Sequence, residues 1–118
     1  MTHYINNLSK ENRLLDNVTI ANSFFSRLKG LLGEKGLENG QGLVIKPCNS
    51  IHTFAMKFPI DVAFVNKDNK VIHIMASTPK GKISPVIKGS KYVIEARAGE
   101  FERKNLDLGD ELEIKSKG

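Results

Sequence analysis

Hydrophobic and polar positions along the chain alternate in short runs, and the runs predict a mainly β fold. Leu14 to Ile20 carries the β-branched residues Val18, Thr19 and Ile20 and reads as a strand. Asn22 or Ser23 then suits a helix N-cap, because a short polar side chain accepts the free N–H groups of a first turn. Phe24, Leu28, Leu31 and Leu32 recur at helical spacing as one apolar stripe, and Gly33 is placed to end that helix. The glycine-rich "GEKGLENGQG" (33–42) is turn chemistry, and "GLVIK" (42–46) is a short buried strand stopped by Pro47. Ile60–Val65 and Val71–Ala76 are apolar at nearly every position and flank the polar "NKDNK", which predicts a β-hairpin. Residues 77–90 form a Pro/Gly/Lys loop, 91–98 another strand, "GEFERKN" one helical turn, and "LDLGDELEIK" a turn and a last strand.

The sum is roughly five to seven short strands and one clear helix, without βαβ alternation. The expectation is a single domain over 1–118, a small antiparallel β-barrel or sandwich with one short packed helix, and the alternative is an α+β open sheet. The first dozen residues or so (about 1–13) are polar and are expected to be loosely held.

Composition changes this picture little. Of the 118 residues 40% are hydrophobic and 26% charged, an ordinary globular balance. The single cysteine allows no intramolecular disulfide and points to a reducing, cytoplasmic setting. The N-terminal stretch lacks the basic-then-apolar layout of a secretory signal, and no run approaches the ~18 apolar residues of a membrane span. A net charge of +5 could draw phosphate-rich partners. Yet the densest basic group, Lys80, Lys82, Lys88 and Lys91, has no interleaved aromatic residues for stacking, so it reads as a solvated loop in preference to a nucleic-acid surface.

Candidate chemistry gathers in "PCNSIHTFAMKFPIDVAF" (47–64). Cys48 and His52, four residues apart, fall on one side of either a helix or a strand, where an imidazole can generate a thiolate. A metal site would need Asp61, His73 or His3 in addition, and no second paired ligand unit occurs, so neither metal nor cofactor is expected. Asp61 shares a strand face with Ala63 and Val65, and both faces of that strand look buried. A buried carboxylate must find hydrogen bonds or a cation; Arg27 or the backbone N–H groups of residues 47–58 could supply them. Asp61 therefore reads first as a loop anchor and second as a pocket acid. Glu95 shares its face with Val93 and Arg97 and poses the same choice. Neither GxxxxGK[ST], GxGxxG nor G-x-S-x-G occurs.

These motifs together resemble a known family. "SRLKGLLG" (26–33), "GLVIKPCNSIHTFAMKFPIDVAFVNKDNKVIHI" (42–74) and "VIEARAGEFERKNLDLGDELEI" (93–114) look like the uncharacterised prokaryotic family catalogued as domain of unknown function 192, in its His-Thr-Phe-x-Met branch. The sequence departs from the commoner pattern at Leu32 and at Thr78–Pro79–Lys80. The resemblance implies a small β-barrel or jelly-roll-like fold and no established activity. Its family-pattern positions here are Arg27, Gly30, Cys48, His52, Thr53, Met56, Pro59, Asp61, Glu95, Gly99, Gly109 and Asp110. The expected function is a ligand-binding or interaction domain for a small molecule or protein. Its pocket would lie beside loop 47–61, lined by Cys48, His52, Met56 and Asp61, with Arg27 and Glu95 as neighbours. The alternative is a small enzyme with Cys48 as nucleophile and His52 as base.

Overall fold

The computed structural model describes residues 2–21, 37–53 and 58–118. The helix expected over 23–32 lies outside them, as do Arg27 and Met56. Seven strands form one sheet: β1 (His3–Asn7), β2 (Asn12–Ala21), β3 (Gln41–Ile45), β4 (Ile60–Asn66), β5 (Val71–Thr78), β6 (Ser90–Arg97) and β7 (Leu112–Ser116). Their order is β5-β4-β6-β3-β2-β1-β7. Neighbours pair antiparallel except β2 and β3, which run parallel. The short helix α1 (Glu100–Arg103) follows β6.

The sheet curls until its two ends meet. The Val71 N–H donates to Asp110 O (3.0 Å), the Gly109 N–H to Val71 O (2.7 Å) and the Leu112 N–H to Asn69 O (2.8 Å), which ties the start of β5 to the entry of β7. The result is a β-barrel-like domain open along part of its seam. Alternation along the strands fills its interior. Val44 on β3, Ala63 and Val65 on β4, and Tyr92, Ile94 and Ala96 on β6 point inward with Ile5, Leu14, Val18, Phe101 and Leu112. Gly42 leaves room for this packing, since a Cβ there would meet Leu15 Cδ1 at 2.5 Å. Burial pushes the Tyr92 hydroxyl up to about 12, and the group donates to Asn69 Oδ1 at 2.9 Å.

The intervening residues point outward, yet over the central strands they too are buried. Ile60, Val62 and Phe64 of β4 and Val93 of β6 form a second apolar cluster with Leu37 and Ile51, and Leu43 and Ile45 of β3 form a third with Ala21. Each such side chain withdrawn from water contributes roughly 1.5–3 kcal/mol.

The hairpin, the 42–46 and 91–98 strands, the last strand and the helical turn at 99–105 all appear where the residue pattern puts them. The N-terminal stretch is a correction. Instead of being loosely held, residues 3–7 are a strand between β2 and β7, with Ile5 and Asn7 fully buried. Two flanking strands satisfy its backbone, and one inward isoleucine is too weak an apolar signal to reveal it.

Asn7 is buried because it belongs to a polar knot. Its Nδ2 donates to Asp110 Oδ2 (2.8 Å), which also accepts from the Asp107 N–H (2.9 Å) and Lys10 Nζ (3.0 Å). Lys10 also reaches Asn105 O and Asp107 Oδ2, both at 2.7 Å. Burial alone would raise the Asp110 carboxyl, but the donors from Asn7, Asp107 and Lys10 outweigh it and hold the group below its ordinary 3.8. A depressed carboxyl stabilises the fold above its unfolded value and loses that contribution as pH falls through the folded one. Asp110→Asn is therefore expected to cost about 1–3 kcal/mol at pH 7, with the gap to wild type closing only below about pH 4. Urea unfolding at pH 7 and pH 3 checks this; an equal gap at both would refute it.

Candidate functional site

Asp61 stands at the end of β4 on the inner face and is buried. Its Oδ1 accepts from the Ser77 N–H (2.7 Å), and its Oδ2 accepts from the N–H groups of Gly99 and Phe101, both at 3.0 Å. Gly99 is the N-cap of α1 and sits at φ 91, a conformation in which glycine carries no penalty; it offers no capping side chain. The carboxylate of β4 supplies the missing acceptor from across the sheet. Among the described residues, the partners that anchor Asp61 thus come from β5 and the start of α1.

Residues 49–53 lie against 81–87 as a hydrogen-bonded ribbon of irregular backbone over the outer cluster. The Ile87 N–H donates to Asn49 O (2.7 Å), the Ser84 N–H to Ile51 O (2.9 Å), the Thr53 N–H to Lys82 O (2.8 Å) and the Gly81 N–H to Thr53 O (3.0 Å). Two buried hydroxyls lock it. Thr53 Oγ1 donates to Pro79 O and accepts from the Lys82 N–H, both at 2.8 Å, and Ser84 Oγ accepts from the Ile51 N–H at 2.9 Å. His52, half-buried, forms an isolated antiparallel bridge with Ile83 in this ribbon.

Cys48 begins the same segment. Its thiol donates to Ser50 O (3.1 Å), its N–H donates to Lys91 O (3.1 Å), and its carbonyl accepts from Ser90 Oγ (2.8 Å). The side chain is half-buried against the outer apolar clusters. Beside it opens a cleft of about 310 Å³ lined by Pro47, Cys48, Asn49, Ser90 and Lys91. Glu95 is fully buried on this outer side of β6, in register with Leu43 of β3 and Val62 of β4.

The sheet therefore separates the expected residues. Cys48, His52 and Glu95 belong to the outer face or its ribbon, and Asp61 to the inner face beneath α1. Among the described residues, no group of three or more His, Cys, Asp or Glu gathers as a metal site, and no helix is long and apolar enough to cross a membrane. Asn49, Ser90 and Lys91 were not among the expected site residues. Lys91 stood out only as one of several lysines, and nothing in the pattern marked Asn49.

A larger cleft, about 480 Å³, lies at the first hairpin among Asn6, Asn7, Leu8, Glu11, Asn12 and Arg13. Its polar groups are largely engaged within the fold. Asn6 accepts from Arg13 and donates to Glu113, Asn7 donates to Asp110, and Asn12 donates to Lys104 O.

Residues 5–114 match the model of the family described as Uncharacterized ACR, domain of unknown function 192. A UPF0127 protein of Thermococcus sibiricus is 33% identical over 101 residues, which is 81% of this chain and 64% of that protein, so the chain spans just under two thirds of this relative. A protein of unknown function from Novosphingobium aromaticivorans superposes with a TM-score of 0.77 at 21% identity, over 96% of this chain and 84% of that one. A Sinorhizobium meliloti protein provisionally described as a transcription regulator gives 0.74 at 20%, over 96% and 92%. At these identities the likeness shows the fold alone.

Asp61→Ala is expected to lower stability by roughly 2–4 kcal/mol, since three backbone donors lose one shared acceptor. Denaturant unfolding measures it; a loss below about 1 kcal/mol would remove Asp61 as the anchor of α1.

Proposed function

We infer that this chain, which belongs to the domain of unknown function 192 family, is a single-domain binding module whose ligand enters the cleft beside Cys48. The observation that supports this reading is chemical. Among the described residues, the Asn49 amide and the Lys91 ammonium have no hydrogen-bond or ion-pair partner, and both line a cleft with an apolar floor at Pro47 and Cys48. Small-molecule sites combine apolar lining with a few orienting polar groups. An uncommitted ammonium beside a carboxamide and a hydroxyl favours a small molecule, or the tip of a protein partner, that carries a negative group. The larger cleft at the first hairpin spends most of its polar groups on holding β1, β2 and the 104–113 segment together.

In this reading His52, opposite Ile83 in the ribbon, and Glu95, between Leu43 and Val62 on β6, stand outside the cleft lining, and Asp61 acts on stability. Arg27 and Met56 stay as candidate neighbours from the family pattern. A single cysteine supports a cytoplasmic home. The thiol of Cys48 donates to a carbonyl oxygen, an arrangement that engages its protonated form, so binding is the better supported role over nucleophilic catalysis.

Amide chemical-shift mapping against a panel of small carboxylates and phosphate esters tests the reading. Shifts are expected at Asn49, Ser90 and Lys91, and Lys91→Ala should weaken binding about five- to tenfold. Shifts confined to residues 6–13 would move the site to the first hairpin. Alkylation of Cys48 that is rapid below pH 8 and slowed by His52→Ala would replace the binding reading with the nucleophile one.

A further inference from the structure

We propose that the outer segment of the ribbon, residues 80–88, docks the protein onto a bilayer surface rich in anionic phosphate headgroups. The argument starts from charge. Residues 69–94 hold Lys70, Lys80, Lys82, Lys88 and Lys91 and no Asp or Glu, and residues 42–60, which supply the other side of the ribbon, hold no acid either. Of these lysines, Lys80, Lys82 and Lys88 lie in or beside the segment that pairs with 49–53, whereas Lys70 lies just before the start of β5, bridged to Glu111. Counterions aside, such a surface attracts an anionic leaflet at about 1 kcal/mol per lysine near it.

The second observation is apolar. Ile83 is 67% exposed and Val86 69% exposed, among the largest exposures of any hydrophobic side chain described. They do not belong to a frayed loop. Ser84 is buried and Ile87 packs on the outer cluster, while the ribbon hydrogen bonds hold the segment between Gly81 and Ile87. Lys82, Ile83, Pro85, Val86 and Lys88 are thereby all held toward solvent. The comparably exposed Leu108 lies in the turn between Asp107 and Asp110, so exposure there comes with acidic neighbours and no cationic field.

Two aliphatic side chains flanked by lysines suit the boundary between headgroups and acyl chains. The aliphatic groups leave water there, and the lysine stems extend along apolar surface with their ammonium groups among the phosphates. A nucleic acid would gain nothing from Ile83 and Val86, and the segment offers no aromatic ring for a base to stack on. Lys82, Ile83, Val86 and Lys88 lie outside the lining of the Cys48 cleft, so the proposal holds whether or not that cleft binds a ligand.

Co-sedimentation with vesicles of mixed phosphatidylglycerol and phosphatidylcholine tests it. The protein should sediment with the mixed vesicles at low salt, not with pure phosphatidylcholine, and binding should fall as salt rises. Ile83→Ser/Val86→Ser, which leaves the charge unchanged, should weaken binding at least tenfold. Lys82→Gln/Lys88→Gln should weaken it about 25-fold, near five-fold per lysine. Lys115→Gln/Lys117→Gln, at the end of β7 and just beyond it, removes the same charge elsewhere and should change binding less than threefold. All these side chains are exposed, so each variant should keep the wild-type melting temperature. No sedimentation with the anionic vesicles at low salt overturns the proposal. So does unchanged binding by the Ile83/Val86 variant, or an equal loss in the β7 variant, because each marks unspecific adsorption of a basic protein. A DNA duplex that displaces the vesicles, and binds the Ile83/Val86 variant as well as wild type, assigns the surface to nucleic acid instead.

Discussion

A sheet that curls into its own core has one face it cannot bury by curling. Over β3, β6 and β4 that outer face carries Leu43, Ile45, Val62, Phe64 and Val93, side chains as apolar as those inside the barrel. Something other than the sheet must cover them, and over β4 and β6 the pairing of 49–53 with 81–87 contributes to that cover, with Ile51 and Ile87 in the cluster of Val62, Phe64 and Val93. Most of the functional geography follows from that requirement. The ribbon creates the edge at which Cys48, Asn49 and Lys91 meet, and its hydrogen bonds hold the lysine-rich loop in place with two aliphatic side chains facing out. The cover is irregular backbone lying on an apolar surface, so its buried polar groups need partners of their own. Thr53 and Ser84 provide them, and this gives both hydroxyls a structural reason to be where they are.

The inner face has its own constraint, which is how to close. Three carboxylates manage it at different places. Asp61 reaches from β4 to the backbone of β5 and α1, Glu100 accepts from the Gly40 N–H at 2.9 Å and pairs with Arg103, and Asp110 gathers Asn7, Lys10 and the Asp107 N–H. Each ties elements distant along the chain through charge-assisted hydrogen bonds, which are shorter and stronger than neutral ones. Long-range pairing dominates this topology, and these clasps sit where curled strands would otherwise splay. A pocket acid leaves at least part of its carboxylate to a ligand. Asp61 engages both of its oxygens with backbone donors of β5 and the start of α1, on the opposite face of the sheet from the cleft beside Cys48.

Much of the strand layout was legible in the residues. The β4–β5 hairpin, β3 before Pro47, β6 and the helical turn after Gly99 all carry local signals: an apolar run bounded by turn residues, or a glycine where a positive φ is required. The exception was β1, whose "HYINN" has one inward apolar residue and draws its stability from two neighbours that the sequence does not show. The site was legible only in part. Cys48 and His52 lie in the outer segment that a four-residue spacing allows, but the same spacing is silent on which face of the sheet receives them.

The sequence by itself determined the fold class, the family and the burial of both faces of the β4 strand, because alternation and turn chemistry are local properties of the chain. Only the tertiary structure decided that Asp61 turns inward to the backbone of α1 while Cys48 faces a cleft on the other side of the same sheet. It also decided that the loop carrying the 80–88 lysines is hydrogen-bonded to residues 49–53. Those facts depend on how far the sheet curls and on which distant segment covers its outer face. Curvature and cover are set by the sum of long-range contacts, and no stretch of residues carries that sum.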